Sequence, residues 1–169
     1  PRKFWDNIAD ENFTWYQKWE KVFEVNFEEA SFKWFVDAKV NITKNCIDRH
    51  LARRGDKTAI LFEPNDPSEE ALHITYNQLY DRVARMSNVL REQGVKKGDR
   101  VCIYLPMIPE LAVATLACAR IGAVHSVVFA GFSASALAAR ITDCECKMVI
   151  TSDGSYRGDK TIDLKGIVD

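Results

Sequence analysis

The sequence predicts an α/β fold, a mainly parallel sheet with flanking helices, preceded by an aromatic-rich helical extension. Three observations carry this expectation. From Thr75 onward, amphipathic helical periods alternate with short strand-like runs at Arg100–Leu105, Val124–Phe129 and Lys147–Thr151. Gly, Pro and Ser separate each run from the next, and a strand–helix–strand–helix–strand order implies parallel strands with right-handed crossovers. Ahead of this lies a segment loaded with aromatic residues, from Phe4 and Trp5 through Trp15, Trp19 and Phe23 to Trp34 and Phe35.

Ile8, Trp15, Trp19 and Phe23 are spaced by seven, four and four residues, which predicts one helix from about Asp6 to Phe23 with an aromatic face. Such a face needs a large apolar partner. Between Phe32 and His50 the periodicity breaks, and Asn41 or Thr43 then caps a short helix through Cys46, Ile47, His50 and Leu51 that ends before Gly55. Thr58–Glu63 reads as a strand, Pro64-Asn-Asp-Pro67 as a turn, and Leu72–Ile74 as the hairpin partner.

Thr75-Tyr-Asn-Gln78 has the capping-box pattern ahead of Leu79, Val83, Met86 and Leu90, so a helix is expected to run to Gln93 and stop at Gly94. Arg100–Leu105 is an apolar run bounded by Gly-Asp and Pro and reads as a buried strand. Pro109 suits the first turn of a helix through Leu111, Val113, Leu116 and Ile121, with Gly122 as its stop. Val124–Phe129 reads as a second buried strand, Ser133 as the cap of a helix through Leu137 to Ile141, and Lys147–Thr151 as a third strand.

Composition narrows the function classes. With 23 basic and 24 acidic residues among 169, the chain has no electrostatic footprint for nucleic acid or an anionic membrane, and any anion site must be local. No stretch reaches the roughly 18 apolar residues of a spanning helix, and the start lacks the apolar core of a secretory signal, which favours a cytoplasmic setting. Five cysteines, an odd number, fit a reducing compartment. Cys144-Glu-Cys146 lacks the further ligands a zinc site requires, and reads as two ordinary thiols.

In an open parallel sheet, ligands bind at the carboxyl ends of the strands. Two loops there carry suitable chemistry. Phe129-Ala-Gly-Phe-Ser133 leads from a strand into a helix amino terminus, where free N–H groups favour an anion and Gly131 permits close approach. Asp153-Gly-Ser-Tyr-Arg-Gly-Asp-Lys160 brings two cations, Arg157 and Lys160, into a Gly-containing loop after the third strand, and both can hold phosphate. A tight turn and a solvated loop are the plain alternatives. His50 and His125 have no nucleophile beside them and read as packed side chains; no Ser/His/Asp, paired-carboxylate or metal motif is visible.

Several blocks in order, Trp34-Phe35, Asn45-Cys-Ile-Asp-Arg-His50, Thr75-Tyr76, Gly98-Asp-Arg-Val101, Pro106-Met-Ile-Pro-Glu110 and Val127-Val-Phe-Ala-Gly-Phe-Ser133, resemble the amino-terminal part of the acetyl-CoA synthetases, AMP-forming acyl-CoA ligases of the adenylating superfamily. Propionyl-CoA and other short-chain acyl-CoA synthetases look similar here. The resemblance implies an amino-terminal extension over residues 1–56 and the first, incomplete part of the AMP-binding domain over 57–169. It also implies that the ATP, Mg and acetate sites, and the catalytic residues, lie beyond Asp169, so that this chain alone is inactive and holds only part of a CoA site, with the remainder of the polypeptide packed on the aromatic helix. By likeness to an Arg-Gly-Gly-Lys/Arg segment, Arg157, Gly158, Asp159 and Lys160 would contact CoA, with Phe129 and Gly131 close by. Two departures stand out: Asp159 replaces a small residue beside the expected phosphate, and Asp37-Ala38 replaces a Gly-Gly pair that commonly follows Trp-Phe. A free-standing nucleotide-binding or interaction module, and a flavodoxin-like redox domain with Cys144 and Cys146 as a switch, are the competing readings.

Overall fold

A computed structural model of the protein describes residues 1–158 and 160–169, and these form two compact units, Pro1–Arg49 and His50–Asp169.

In the first unit, helix α1 spans Arg2–Asn12 and is followed by an antiparallel hairpin of β1 (Lys21–Asn26) and β2 (Ser31–Val36). The expected helix is therefore present but stops early, and Trp15, Trp19 and Phe23 lie outside it. Tertiary partners account for the difference. The Asn45 side chain accepts from Thr14 N at 2.7 Å and donates to the Thr14 carbonyl at 3.1 Å, holding the chain extended just past the helix, while Arg49 donates to the Asn12 carbonyl at 2.6 Å. The segment then folds back on the helix. Trp15 Nε1 donates to the Ala9 carbonyl and Trp19 Nε1 to Asp6 Oδ1, each at 2.9 Å, and the rings of Trp15, Trp19 and Phe35 pack with centroids 5.0–5.4 Å apart. Spacing that suits one helical face here serves a hairpin clamped to a shorter helix. Asp37, where the resembling family commonly has glycine, sits at φ +63°, a left-handed conformation that glycine adopts without strain. Asn41 caps α2 (Ile42–Cys46) by accepting from Thr43 N, and after a break at Ile47 a 3-10 turn leads into α3 (Leu51–Arg54).

The second unit follows the sequence pattern closely. Strands β3 (Thr58–Phe62) and β4 (Leu72–Thr75) form the expected hairpin. Thr75 and Gln78 close a full capping box at the start of α4 (Tyr76–Glu92). Strand β5 (Arg100–Leu105), helix α5 (Pro109–Ile121), strand β6 (Val124–Phe129), helix α6 (Ala134–Asp143) and strand β7 (Met148–Thr151) then build a parallel sheet in the order β6-β5-β7. Gly122 ends α5 at φ +77°, as its position predicts.

Central position explains burial. Strand β5 has a neighbour on each side, and Val101 through Leu105 are all buried. Cys102 and Tyr104 join Val128, Leu137 and Leu164 in one core cluster, covered by α6 and by the terminal helix α7 (Leu164–Val168). Strand β6 departs from expectation. It is an edge strand among the described residues, and Val124, Val127 and Phe129 are at least half exposed rather than buried. Its apolar composition predicts two covered faces; among the described residues no strand pairs with its outer edge, and Val127 and Phe129, alternating with buried Val128, lack cover on one face.

Candidate functional site

The stretch after β7 is not the open loop that its glycines suggest. It forms a hairpin of β8 (Gly154–Arg157) and β9 (Lys160–Asp163), in which Arg157 pairs directly with Lys160. Gly158 starts the turn at φ +59°, and Asp159 lies outside the described residues. Direct antiparallel partners project from the same face with Cβ atoms about 5 Å apart, so the hairpin holds two cations side by side. That juxtaposition is unfavourable alone and is relieved by a multiply charged anion.

At the carboxyl ends of the parallel strands lies a cleft of about 990 Å3. Its walls come from four connections: Pro106, Met107 and Ile108 after β5; Phe129, Ala130 and Gly131 after β6; Ser152 through Arg157 after β7; and the β3–β4 turn around Glu63 and Asp66. Phe129, Gly131 and Arg157 thus share one cavity. Lys160 stands beside Arg157 but outside the lining, and the Gly158 turn is exposed.

Local chemistry places each wall. Tyr104, fully buried on the central strand, donates its hydroxyl to the Phe132 carbonyl at 2.8 Å and lies 3.4 Å from the Ala130 carbonyl, so the core strand grips the glycine loop from beneath. Burial pushes the Tyr104 phenol up, keeping it a donor. The Phe129 ring lies over Gly131, where a Cβ would come within 2.4 Å of it, and it meets Phe132 edge-on with centroids 5.8 Å apart. Ser133 caps α6 by accepting from Ala136 N. On the third wall, Asp153 accepts from Gly154 N at 2.8 Å and Ser152 donates to the Gly154 carbonyl at 3.0 Å, turning the chain into β8. On the fourth, hydrogen bonds from the Ser68 hydroxyl and N–H hold the Asp66 carboxyl below its ordinary value. Among the described lining residues Arg157 is the one cation, set in a cleft that also holds the carboxylates of Asp153, Glu63, Asp66 and Glu69.

Tyr156 lines the same cleft, is 72% exposed, and escaped the sequence reading. A signal existed: Ser155-Tyr-Arg157 and Lys160-Thr-Ile162 are short β-prone runs separated by Gly-Asp, a recognised hairpin pattern. His125 is exposed on the edge strand, and His50 packs its ring 5.4 Å from Tyr76; neither reaches the cleft lining.

Residues 47–168 match the family described as AMP-binding enzyme, and residues 1–46 match the acetyl-coenzyme A synthetase N-terminus. The chain belongs to the AMP-binding enzyme family. It is 58% identical over 170 residues to an acetyl-coenzyme A synthetase of Desulfatibacillum aliphaticivorans, a match covering 100% of this chain and 26% of that protein. An acetyl-coenzyme A synthetase of Rhizobium meliloti is 56% identical over 98% of this chain and 25% of its own length. Among solved structures, acetoacetyl-CoA synthetase from Streptomyces lividans superposes with a TM-score of 0.90 at 29% identity, over 99% of this chain and 25% of that one. The chain spans about a quarter of the length of these relatives. The resemblance read from the motif blocks and the α/β class both stand on these matches.

Proposed function

We propose that this chain is the amino-terminal portion of an acetate–CoA ligase and carries part of its CoA site. In the complete reaction an acetate oxygen attacks the α-phosphorus of ATP and pyrophosphate leaves; the CoA sulfur then attacks the acyl carbon and AMP leaves. Acetate, ATP and Mg bind on segments other than this chain, which alone releases no pyrophosphate. Residues 1–56 form an extension and 57–169 open the adenylating domain. The rest of the polypeptide covers the exposed aromatic side of α1, where Phe4, Trp5 and Ile8 face outward, and the enzyme works in the cytoplasm.

The observation that supports this reading is the convergence of Arg157 with Phe129 and Gly131 in one cleft. Arg157, with Lys160 across the hairpin, would take a CoA phosphate bidentately, Phe129 would offer a ring face to the adenine, and Gly131 would let the nucleotide approach the backbone. The sequence similarity to acetyl-coenzyme A synthetases favours acetate as the acid, although the residues that would measure the acyl chain are elsewhere.

The test separates the half-reactions in the full-length protein. Arg157→Ala is expected to raise the KM for CoA by roughly 10- to 100-fold, the loss of one charge-assisted phosphate contact, while acetate-dependent exchange of pyrophosphate into ATP keeps its wild-type rate. An unchanged KM for CoA would remove the site assignment, and absence of acetate-dependent exchange in the wild-type protein would remove the acetate ligase reading.

A further inference from the structure

The Cys144-Glu145-Cys146 turn lies at the amino ends of the strands, the opposite end of the sheet from the cleft. Helix α6 closes there with three backbone bonds: Cys144 N to the Arg140 carbonyl at 3.0 Å, Glu145 N to the Thr142 carbonyl at 3.1 Å, and Cys146 N to the Ile141 carbonyl at 2.9 Å. This is the Schellman pattern, whose left-handed residue is usually glycine. Glu145 occupies that position at φ +48°. Arg100 holds it there: Nε donates to the Cys144 carbonyl at 2.8 Å, and Nη2 donates to the Glu145 carbonyl at 3.1 Å and to its carboxylate at 3.0 Å.

Two cysteines therefore flank a locked bend. The bend draws their Cα atoms closer than the roughly 7 Å of an extended two-residue step. Both thiols are free and half-buried, open enough for a small ion to reach. Cys144 Sγ lies 4.0 Å from Ser126 Oγ, and Cys146 packs on the core cluster; burial, and then the neighbouring Cys144 thiol, push the Cys146 thiol up.

Donor count decides what such a pair can hold. Among the described residues no group of three His, Cys, Asp or Glu side chains converges to hold a metal, and the Glu145 carboxylate between the two cysteines is paired with Arg100. Zinc in a structural site needs four ligands, and hard cations need several oxygens. Soft thiolate ligands select copper(I). Metal–sulfur bonds of about 2.3 Å let one ion join sulfurs up to about 4.6 Å apart, whereas a disulfide demands about 2.05 Å and its own torsion. We propose that Cys144 and Cys146 form a two-thiolate site for a soft monovalent metal cation of the copper(I) class. Binding releases both thiol protons and leaves one net negative charge on the complex. The Arg100 guanidinium on the same turn is already paired with the Glu145 carboxylate, so its field offsets that charge only in part.

The test is anaerobic titration of the reduced full-length protein with copper(I) held by a coloured copper(I) chelator. The wild-type protein is expected to withdraw one equivalent more than Cys144→Ser/Cys146→Ser, and each single serine variant to bind that equivalent at least about 100-fold more weakly. Cys46→Ser, at an exposed thiol in the other unit, retains it. Zinc(II) alone does not displace the ion. Equal uptake by the wild-type and double-variant proteins would overturn the site, as would zinc displacing the bound copper. Should the double variant fail to fold, Cys144→Ser at its half-buried position gives the same decision.

Discussion

The Tyr104 hydroxyl donates to the Phe132 carbonyl across 2.8 Å, and this bond ties the carboxyl end of the buried central strand to the loop that carries Phe129 and Gly131. It converts a position in the core into a constraint on the cleft. The Phe129 ring can lie over Gly131 because the loop beneath it is anchored from the strand side.

Tyr104→Phe keeps the packed ring and deletes the anchor. The expected loss is about 1 kcal/mol of stability, the net worth of one neutral hydrogen bond. The KM for CoA in the full-length protein should rise several-fold with pyrophosphate exchange intact. Urea unfolding and the two half-reaction assays check both parts; an unchanged CoA response would mean that the loop holds its shape without Tyr104.

Gly131→Ala separates ring position from fold. The new methyl would meet Phe129 Cε1 at 2.4 Å, but that ring is 59% exposed and can swing aside. The thermal midpoint should therefore move little, while CoA affinity falls. Calorimetry with CoA as titrant, beside a thermal melt, measures the two separately. A large drop in midpoint with full affinity would contradict the placement of the ring.

Thr75→Ala removes the capping-box hydroxyl that accepts from Gln78 N at 3.2 Å. The expected cost is about 1 kcal/mol, and Thr75→Asp should recover most of it because an aspartate oxygen caps equally well. Thermal melts of the two variants decide the matter: equal midpoints for Ala and Asp would show that the cap contributes nothing.

Burial pushes the Cys102 and Cys118 thiols up to about 11 from an ordinary 9.0. A proton held more tightly in the folded state contributes stability that is complete below about pH 9 and is lost as pH rises through about 11. Stability should fall across that window, and less steeply in Cys118→Ala measured against its own neutral-pH value. Below it, alkylation followed by peptide mass spectrometry should label exposed Cys46 and spare Cys102 and Cys118. Labelling of Cys118 at neutral pH in folded protein would contradict its burial.

Local signals determined most of the second unit. The capping box at Thr75, Pro109 in a first turn, Gly122 past a last turn and the run Arg100–Leu105 each act within a few residues, and α4, α5 and β5 lie where those signals put them. The family was legible for a related reason: ordered motif blocks survive in the chain whatever its packing. What the sequence could not settle were contests between local pattern and distant partners. The aromatic spacing through Trp15 and Trp19 suited a helix, but Asn45 and Arg49, more than thirty residues away, bind Thr14 and Asn12 and end it. An apolar run reads the same in a central strand as at an edge, so only the strand order β6-β5-β7 left Val127 and Phe129 exposed. The site shows both sides. Arg157, Gly131 and Phe129 were legible as residue types at strand ends, whereas Arg157 stands opposite Lys160 only because the chain pairs into a hairpin. Which side chains share a cavity depends on strand order and register, and those are set by the packing of the whole core rather than by any local run.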